Sequence, residues 1–95
     1  MLRRGIAIIC RNPEEYNALL HIVSREGYGW IGGKRLNHYA YNQPIRLSFN
    51  DTYRKDSCMS RCENLEYQLN PGITEVYEAS DFLHNIIISM RLKGE

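Results

Sequence analysis

The sequence lacks a hydrophobic run long enough to cross a membrane, and it has almost no net charge. A membrane-spanning helix needs about 20 apolar residues, and no segment approaches that length. The net charge of +1 gives no general attraction to nucleic acid or to an anionic membrane. Met1–Arg4 precede an apolar run as in a signal peptide, but that run, Ile6–Cys10, is too short. We therefore expect a cytoplasmic protein with no membrane contact.

Cysteine is scarce, and its spacing does not predict a metal site. Of three cysteines, Cys58 and Cys62 are four residues apart, but no second pair follows them. His38 and His84 lie too far away in the sequence to complete a ligand set. We expect no metal and no cofactor. One of the two cysteines should pack in the core and the other should be a partly exposed, reduced thiol.

Motifs of common catalytic sites are also missing. The sequence has no nucleophile elbow, zinc-deaminase motif, phosphate-binding loop or dinucleotide fingerprint. Three histidines (His21, His38 and His84) could each act as a base, but catalysis would need a nucleophile and an orienting carboxylate around one of them. The sequence therefore favours a protein that is not an enzyme.

What is present is the composition of one globular domain. Hydrophobic residues make up 43% of the chain and charged residues 24%, values typical of a folded domain rather than of a disordered one. A chain of 95 residues can remove roughly 60–70% of its unfolded surface from water, which is enough for one core. We predict a single domain over residues 1–95.

The stretch from Gly5 to Trp30 predicts a strand followed by a capped helix. Ile6–Cys10 has the apolar character of a buried strand. Asn12 is a good N-cap, Pro13 suits the first helical position, and Glu15 completes the spacing of a capping box. The helix should end at Gly27. Its apolar stripe consists of Tyr16, Leu19, Leu20 and Val23.

Further elements are predicted along the rest of the chain. Alternation of Ile45, Leu47 and Phe49 with polar residues indicates a strand with one wet face. Ser60 and Glu63 have capping-box spacing and predict a helix over 61–69, ended by 70–72. The remaining predictions are a short strand at 36–41, a hairpin partner strand beginning at Thr52, a strand at 73–77, and a last helix from Asp81 to about Leu92.

These elements predict an α+β fold. The order is roughly β-α-β-β-β-α-β-α, with a small antiparallel or mixed sheet of about four to five strands and two to three helices packed mainly on one face. The run Ile86–Ile88 fits either a helix or a strand, so the state of 86–92 stays open.

Charge is unevenly distributed along the chain, which suggests two binding surfaces. Residues 30–55 contain five basic residues and one acid, whereas residues 62–81 contain five acids and no base. The basic residues alternate with aromatic ones, a composition suited to phosphate contacts and base stacking. A single-stranded nucleic-acid or nucleotide module in the stretch 28–55 would use Trp30, Lys34, Arg35, Tyr39 and Arg46. The alternative places Trp30 and some tyrosines in the core and leaves the basic residues solvated.

The acidic residues suggest contact with a protein instead. Their carboxylates could imitate a nucleic-acid backbone and enter a basic groove of a partner, with charge complementarity speeding association. Ile88, on the less apolar side of the predicted last helix, could mark a dimer contact, so the chain is expected to be a monomer or a homodimer. Without such a partner the acids would form a solvated face. The predicted partner-binding residues are Glu63, Glu66, Glu75, Glu78 and Ile88.

The sequence resembles small accessory proteins encoded by bacteriophages and other mobile elements. Such proteins begin with a strand, continue with an acidic-started helix that ends in Gly-Tyr-x-Trp-x-x-Gly, and finish with a strand leading into Asp-Phe-Leu. The likeness spans about two thirds of the chain, and its motifs are structural rather than catalytic. The matching segments are 12–15, 27–33, 45–51 and 76–83.

Two segments depart from that pattern. Residues 55–71 look longer and more helical than the usual hairpin connection, and the tail 84–95 continues past the usual end. Additions of this kind are places where a particular partner could bind. The resemblance implies a non-enzymatic protein that binds and inhibits or modulates a host protein in a bacterial cell, such as an anti-CRISPR inhibitor of a nucleic-acid-handling defence enzyme.

Overall fold

The protein has an α+β fold, which confirms the predicted class. The computed structural model describes residues 2–84. It contains a four-stranded sheet and one long helix, with residues 79–84 forming a further helical segment. The elements are β1 (Ile6–Cys10), α1 (Pro13–Glu26), β2 (Ile45–Phe49), β3 (Met59–Cys62) and β4 (Glu75–Glu78), with short 3-10 turns at Leu36–His38 and Lys55–Ser57.

The sheet is mixed, and its strand order is β3-β2-β1-β4. β1 pairs antiparallel with β2, and β2 pairs antiparallel with β3. β4 pairs parallel with β1 on the opposite side. The chain therefore leaves the sheet at one edge after β3 and re-enters it at the other edge in β4.

The ends of α1 form as predicted. The side chain of Asn12 accepts a hydrogen bond of 2.8 Å from the backbone N–H of Glu15, and the Glu15 carboxylate accepts one of 2.9 Å from the Arg11 N–H. Gly27 has φ of 82° and ends the helix, with its N–H directed at the carbonyls of the last turn. These bonds satisfy backbone groups that a helix terminus otherwise leaves without partners.

One face of the sheet, the core face, packs against α1. Ile6, Ile8 and Cys10 alternate onto this face from β1, and Ile45, Leu47 and Phe49 come from β2. Tyr16, Leu19 and Val23 of α1 complete the layer together with Trp30. Burying these side chains is the main stabilising contribution, at about 1.5–3 kcal/mol for each large apolar residue.

The second face of the sheet is covered by the chain itself. The crossover segment, residues 63–74, connects the two edge strands, and two side chains of the β2 region bond to it. Arg46 donates to its backbone, and Asn70 donates to the Asn50 side chain at 3.0 Å. The turn at 71–72, just before β4, contains Gly72 at φ of 93°. A Cβ atom at this position would collide with the Asp51 carboxylate.

The predicted helix over 61–69 is wrong. Residues 59–62 form β3, and residues 63–74 contain turns but no helix. The capping-box spacing of Ser60 and Glu63 is overridden because Ser60 pairs with Ser48 of β2, while Met59 enters the core. A local propensity signal of about 1 kcal/mol cannot compete with these non-local contacts.

Other boundaries also differ from the predictions. The hairpin partner of β2 begins at Met59 rather than Thr52, since residues 51–58 form a loop with a 3-10 turn. The predicted strand at 36–41 is replaced by the 3-10 turn Leu36–His38, whose Leu36 carbonyl accepts the Trp30 indole N–H at 3.1 Å. The predicted strand 73–77 lies at Glu75–Glu78, and the last helix begins at 79. The rest of that predicted helix, with Ile88, lies outside the described residues.

Burial of Cys10 predicts a loss of stability in alkaline solution. Desolvation raises the pKa of this thiol from 9.0 to about 12. Between these pH values the thiol ionises in the unfolded chain and stays neutral in the folded one. The stabilising contribution is therefore complete below pH 9 and lost as the pH rises through about 12.

We expect the free energy of unfolding of wild type to fall more steeply over that interval than that of Cys10→Ala, which is less stable at neutral pH because of its cavity. Urea unfolding followed at several pH values measures the difference. Cys62→Ala, which removes a partly exposed thiol, serves as the control and should keep the wild-type slope. Parallel pH profiles for wild type and Cys10→Ala would contradict this account.

Candidate functional site

The crossover segment and the outer side chains of β4 form one surface, which we call the crossover face. Val76 and Glu78 of β4 lie in register with Ala7 and Ile9 of β1, away from the core face. Two large apolar side chains on this surface are well exposed, with Tyr67 at 64% and Val76 at 44%. Few other large hydrophobic side chains of the described chain are exposed to that extent. The crossover face therefore combines apolar groups with the acidic stretch.

Two of the four described acids of the predicted partner-binding set, Glu66 and Glu78, belong to the crossover face. Glu63 begins the crossover segment, Glu66 follows beside Tyr67, and Glu78 ends β4. Glu75 alternates onto the other side of β4, where it accepts hydrogen bonds from Arg3 and Tyr77. The Glu63 carboxylate bonds to Arg61, which pairs with Leu47 on the α1 side of the sheet. The structure therefore leaves two of these acids on the crossover face and directs the other two to partners on the opposite side.

Ion pairs reduce the charge that these acids present. Arg11 donates to both carboxylate oxygens of Glu78 at 2.8 Å, and this hydrogen bonding lowers the pKa of Glu78. Glu63 accepts a bond of 3.1 Å from Arg61 and one of 2.8 Å from Gln43. Within residues 2–84, Glu66 has no ion-pair partner. Glu66 is thus the acid best placed to meet a basic group from outside.

Arg46 fixes the position of the crossover segment. Its side chain is on the second face of β2 and is only 5% exposed. Its Nη1 atom donates to the carbonyls of Leu65 at 3.2 Å and Tyr67 at 2.8 Å. Hydrogen bonds from a charged donor contribute about 1.5–3 kcal/mol each. The sequence predicts Arg46 as a nucleic-acid or nucleotide-binding residue, and the structure places it beneath the crossover face.

The other predicted nucleic-acid residues are divided between the interior and the surface. Trp30 is 2% exposed and packs edge-on against Tyr39 at 5.0 Å between ring centroids. The Tyr39 ring is also covered by the Arg61 guanidinium at 4.9 Å. Lys34 and Arg35 are exposed. Thus Trp30 and Tyr39 are in contact, and Arg46 is bonded elsewhere.

A groove lies between the outer side of α1 and residues 35–41. It consists of two adjoining cavities of about 340 and 510 Å³ that share Asn17, Leu20 and Asn37. Arg35 and His21 line one end, and Tyr39 and Tyr41 line the other. The groove is separate from the crossover face because α1 packs on the opposite side of the sheet. Two residues of the predicted nucleotide site, Arg35 and Tyr39, are therefore brought into one concavity.

Sequence reasoning missed Tyr67 and the role of Arg46. Tyr67 lies within the region 61–69 that the sequence predicted as a helix, and nothing in that prediction distinguished it from the neighbouring residues. Arg46 follows the alternation of β2 onto the face expected to be wet, and only the path of the crossover segment makes that face buried. The turn signal at 70–72 was present in the sequence, but it is compatible both with a helix and with an irregular segment before it.

Comparisons with protein-family models, with curated proteins and with solved structures found no match to this chain. Within the part of the chain that the structure describes, no group of three or more His, Cys, Asp and Glu side chains is placed to hold a metal ion. No helix among residues 2–84 has the length and apolarity to cross a membrane. Of the two cysteines in the 58–62 pair, the sequence predicts one in the core and one partly exposed. The structure confirms this, with Cys58 buried and Cys62 partly exposed.

Proposed function

We propose that this chain is a non-enzymatic protein-binding domain that uses its crossover face to dock onto a basic surface of another protein. The observation that carries the proposal is the exposed Tyr67 ring on a segment bonded to the sheet beneath it. The preceding residue, Glu66, has no ion-pair partner among residues 2–84. Tyrosine is enriched at protein interfaces because it supplies a large contact area with few rotatable bonds. An ordered backbone lowers the entropy lost on binding.

The charges of the crossover face suit a partner rich in arginine or lysine. Glu66 would form the new ion pair, and the exposed Val76 would add apolar contact area to that of Tyr67. Glu63 and Glu78 lie at the margin with their own internal partners, so they would contribute to long-range attraction more than to direct pairing. This division of roles is consistent with interfaces that combine an apolar centre with a charged rim.

The resemblance to mobile-element accessory proteins extends the proposal to a biological setting. In that setting the partner is a protein of the bacterial host, and binding inhibits or modulates it. A nucleic-acid-handling defence enzyme fits the proposal best because its nucleic-acid groove offers the basic surface that the crossover face requires. The proposed site of action is the cytoplasm of the host cell.

Tyr67→Ser should abolish capture of the partner, whereas Tyr53→Ser should not. Both tyrosines are exposed, at 64% and 48%, but Tyr53 lies in the loop before β3, away from the crossover face. The measurement is a pull-down from the natural host with wild type and both variants, followed by identification of the retained proteins. Loss of a central aromatic anchor typically weakens binding by about 2 kcal/mol or more, or roughly thirtyfold.

Glu66→Gln tests the charge component of the same interface. It should weaken capture of the same protein and reduce its dependence on salt concentration, while Glu14→Gln on the opposite layer should change neither. Equal recovery of the partner with wild type, Tyr67→Ser and Glu66→Gln would overturn the proposal.

The groove beside α1 favours a second candidate function, the binding of single-stranded nucleic acid or a nucleotide. Arg35 could contact phosphate, and the amides of Asn17 and Asn37 could contact a base edge. This candidate uses only Arg35, Tyr39 and the nearby Lys34 of the predicted residues, because Trp30 and Arg46 are committed to internal contacts.

Fluorescence anisotropy with labelled single-stranded DNA and RNA at low salt tests this second candidate. If the groove binds, Arg35→Ala should reduce the affinity and the salt dependence, since one phosphate contact is lost. Arg25→Ala is the matched control, because Arg25 is an exposed arginine of α1 that does not line either cavity. Absence of any binding at low salt, or equal losses in both variants, would dismiss the second candidate.

A further inference from the structure

Cys62 differs from the other two cysteines in its access to solvent. Cys10 and Cys58 are both fully buried, and burial raises the pKa of each thiol. Cys62 is partly exposed at the end of β3, where its thiol donates to the carbonyl of Asn64 at 3.2 Å. A soluble oxidant can therefore reach the Cys62 sulfur in the folded protein while the other two sulfurs are shielded.

A buried arginine, Arg46, occupies the paired position on the neighbouring strand β2. Cys62 is the direct cross-strand partner of Arg46, and both side chains project from the second face of the sheet. Cβ atoms of such a pair are about 4.5–5.5 Å apart. The Arg46 Nε atom is buried and has no hydrogen-bond partner among residues 2–84. Nη1 already donates to the carbonyls of Leu65 and Tyr67, so Nε is the buried donor of this guanidinium that could bond to a new partner on the second face.

We propose that Cys62 is an oxidation site and that the oxygen atoms gained by its sulfur are bound by the Arg46 guanidinium. The oxidant is a hydroperoxide. The Cys62 sulfur attacks the distal peroxide oxygen, so an S–O bond forms and the O–O bond breaks. The sulfur is oxidised by two electrons to sulfenic acid, and the peroxide is reduced. The thiol proton goes to the leaving oxygen, which departs as water or an alcohol.

A second equivalent of hydroperoxide completes the proposed modification. It converts the sulfenic acid to sulfinic acid by the same two-electron oxidation, and the sulfinic acid loses its proton to water at neutral pH. The resulting sulfinate is an acceptor of the kind that the Nε–H lacks. Hydrogen bonds between ionised partners are shorter and stronger than neutral ones. Arg46 therefore stabilises the oxidised product at this site.

The modification would also change the crossover face. A sulfinate that draws the guanidinium toward β3 weakens the bonds from Nη1 to the carbonyls of Leu65 and Tyr67. Those carbonyls belong to the segment that presents Glu66 and the Tyr67 ring. Oxidation of Cys62 would then reduce partner binding, a consequence that rests on the function proposed above. The oxidation and its coupling to Arg46 do not depend on a partner.

The first test is the site of oxidation. The folded protein is treated with hydrogen peroxide, sulfenic acid is trapped with dimedone, and the modified residues are located by mass spectrometry. We expect the dimedone adduct, and a gain of two oxygen atoms in untrapped samples, at Cys62 before either appears at Cys10 or Cys58. Comparable oxidation of all three residues, or no oxidation of Cys62, would overturn the proposal.

The second test is the coupling between Cys62 oxidation and Arg46. Thermal unfolding is followed for the reduced and the sulfinate forms of wild type and of Arg46→Met. For each protein we take the Tm of the sulfinate form minus the Tm of the reduced form. We expect this difference to be higher in wild type than in Arg46→Met by at least about 5 °C, because only wild type can form the new ion pair. The same change in both proteins would refute the role of Arg46.

Controls keep this test independent of folding and of the proposed function. Near-ultraviolet circular dichroism of the buried Trp30 reports whether a variant retains the fold. Arg46→Gln, which keeps amide donors but carries no charge, replaces Arg46→Met if the latter does not fold, and the same difference in Tm is expected. If Cys62 oxidises and couples to Arg46 but capture of the partner is unaffected, the site stands and only its link to the crossover face fails.

Discussion

The hydrogen bonds from Arg46 to the carbonyls of Leu65 and Tyr67 determine how the second face of the sheet is covered. The strand order β3-β2-β1-β4 forces residues 63–74 to pass from one edge of the sheet to the other. In most small α+β folds a helix makes such a passage and buries an apolar stripe. Here the passage has no helix, so backbone carbonyls approach the sheet and need donors there. A single guanidinium supplies two of those bonds.

As a result, the two faces of the sheet are covered by different kinds of contact. The core face is sealed by apolar packing between α1, β1 and β2. The second face buries polar groups, including Ser48 and Asn50, whose amide donates to the Cys58 carbonyl at 2.8 Å. Apolar packing tolerates changes of side chain, whereas buried polar groups must keep their partners. The crossover segment is therefore held by a few directional bonds, which present Glu66 and Tyr67 in a defined position for the proposed partner.

The sequence predicted the core face well and the second face poorly. α1 could be located because its caps, Asn12 and Gly27, act on the nearest backbone groups. β2 could be located because its alternation of Ile45, Leu47 and Phe49 is a property of the strand itself. The region 61–69 could not, since its state depends on pairing with β2 and on Arg46, which is distant in sequence. For the same reason the sequence pointed to the acids of the crossover face as candidate partner-binding residues but did not point to Tyr67.

Amide hydrogen exchange in an Arg46→Met variant tests the central claim that Arg46 holds the crossover segment. The variant keeps a side chain of similar length but removes every donor. We expect faster exchange for residues of the crossover segment, such as Tyr67, whose N–H donates to the Asn64 carbonyl at 3.0 Å. Protection in β1 and α1 should be retained. Unchanged protection of residues 64–73 in this variant would contradict the account.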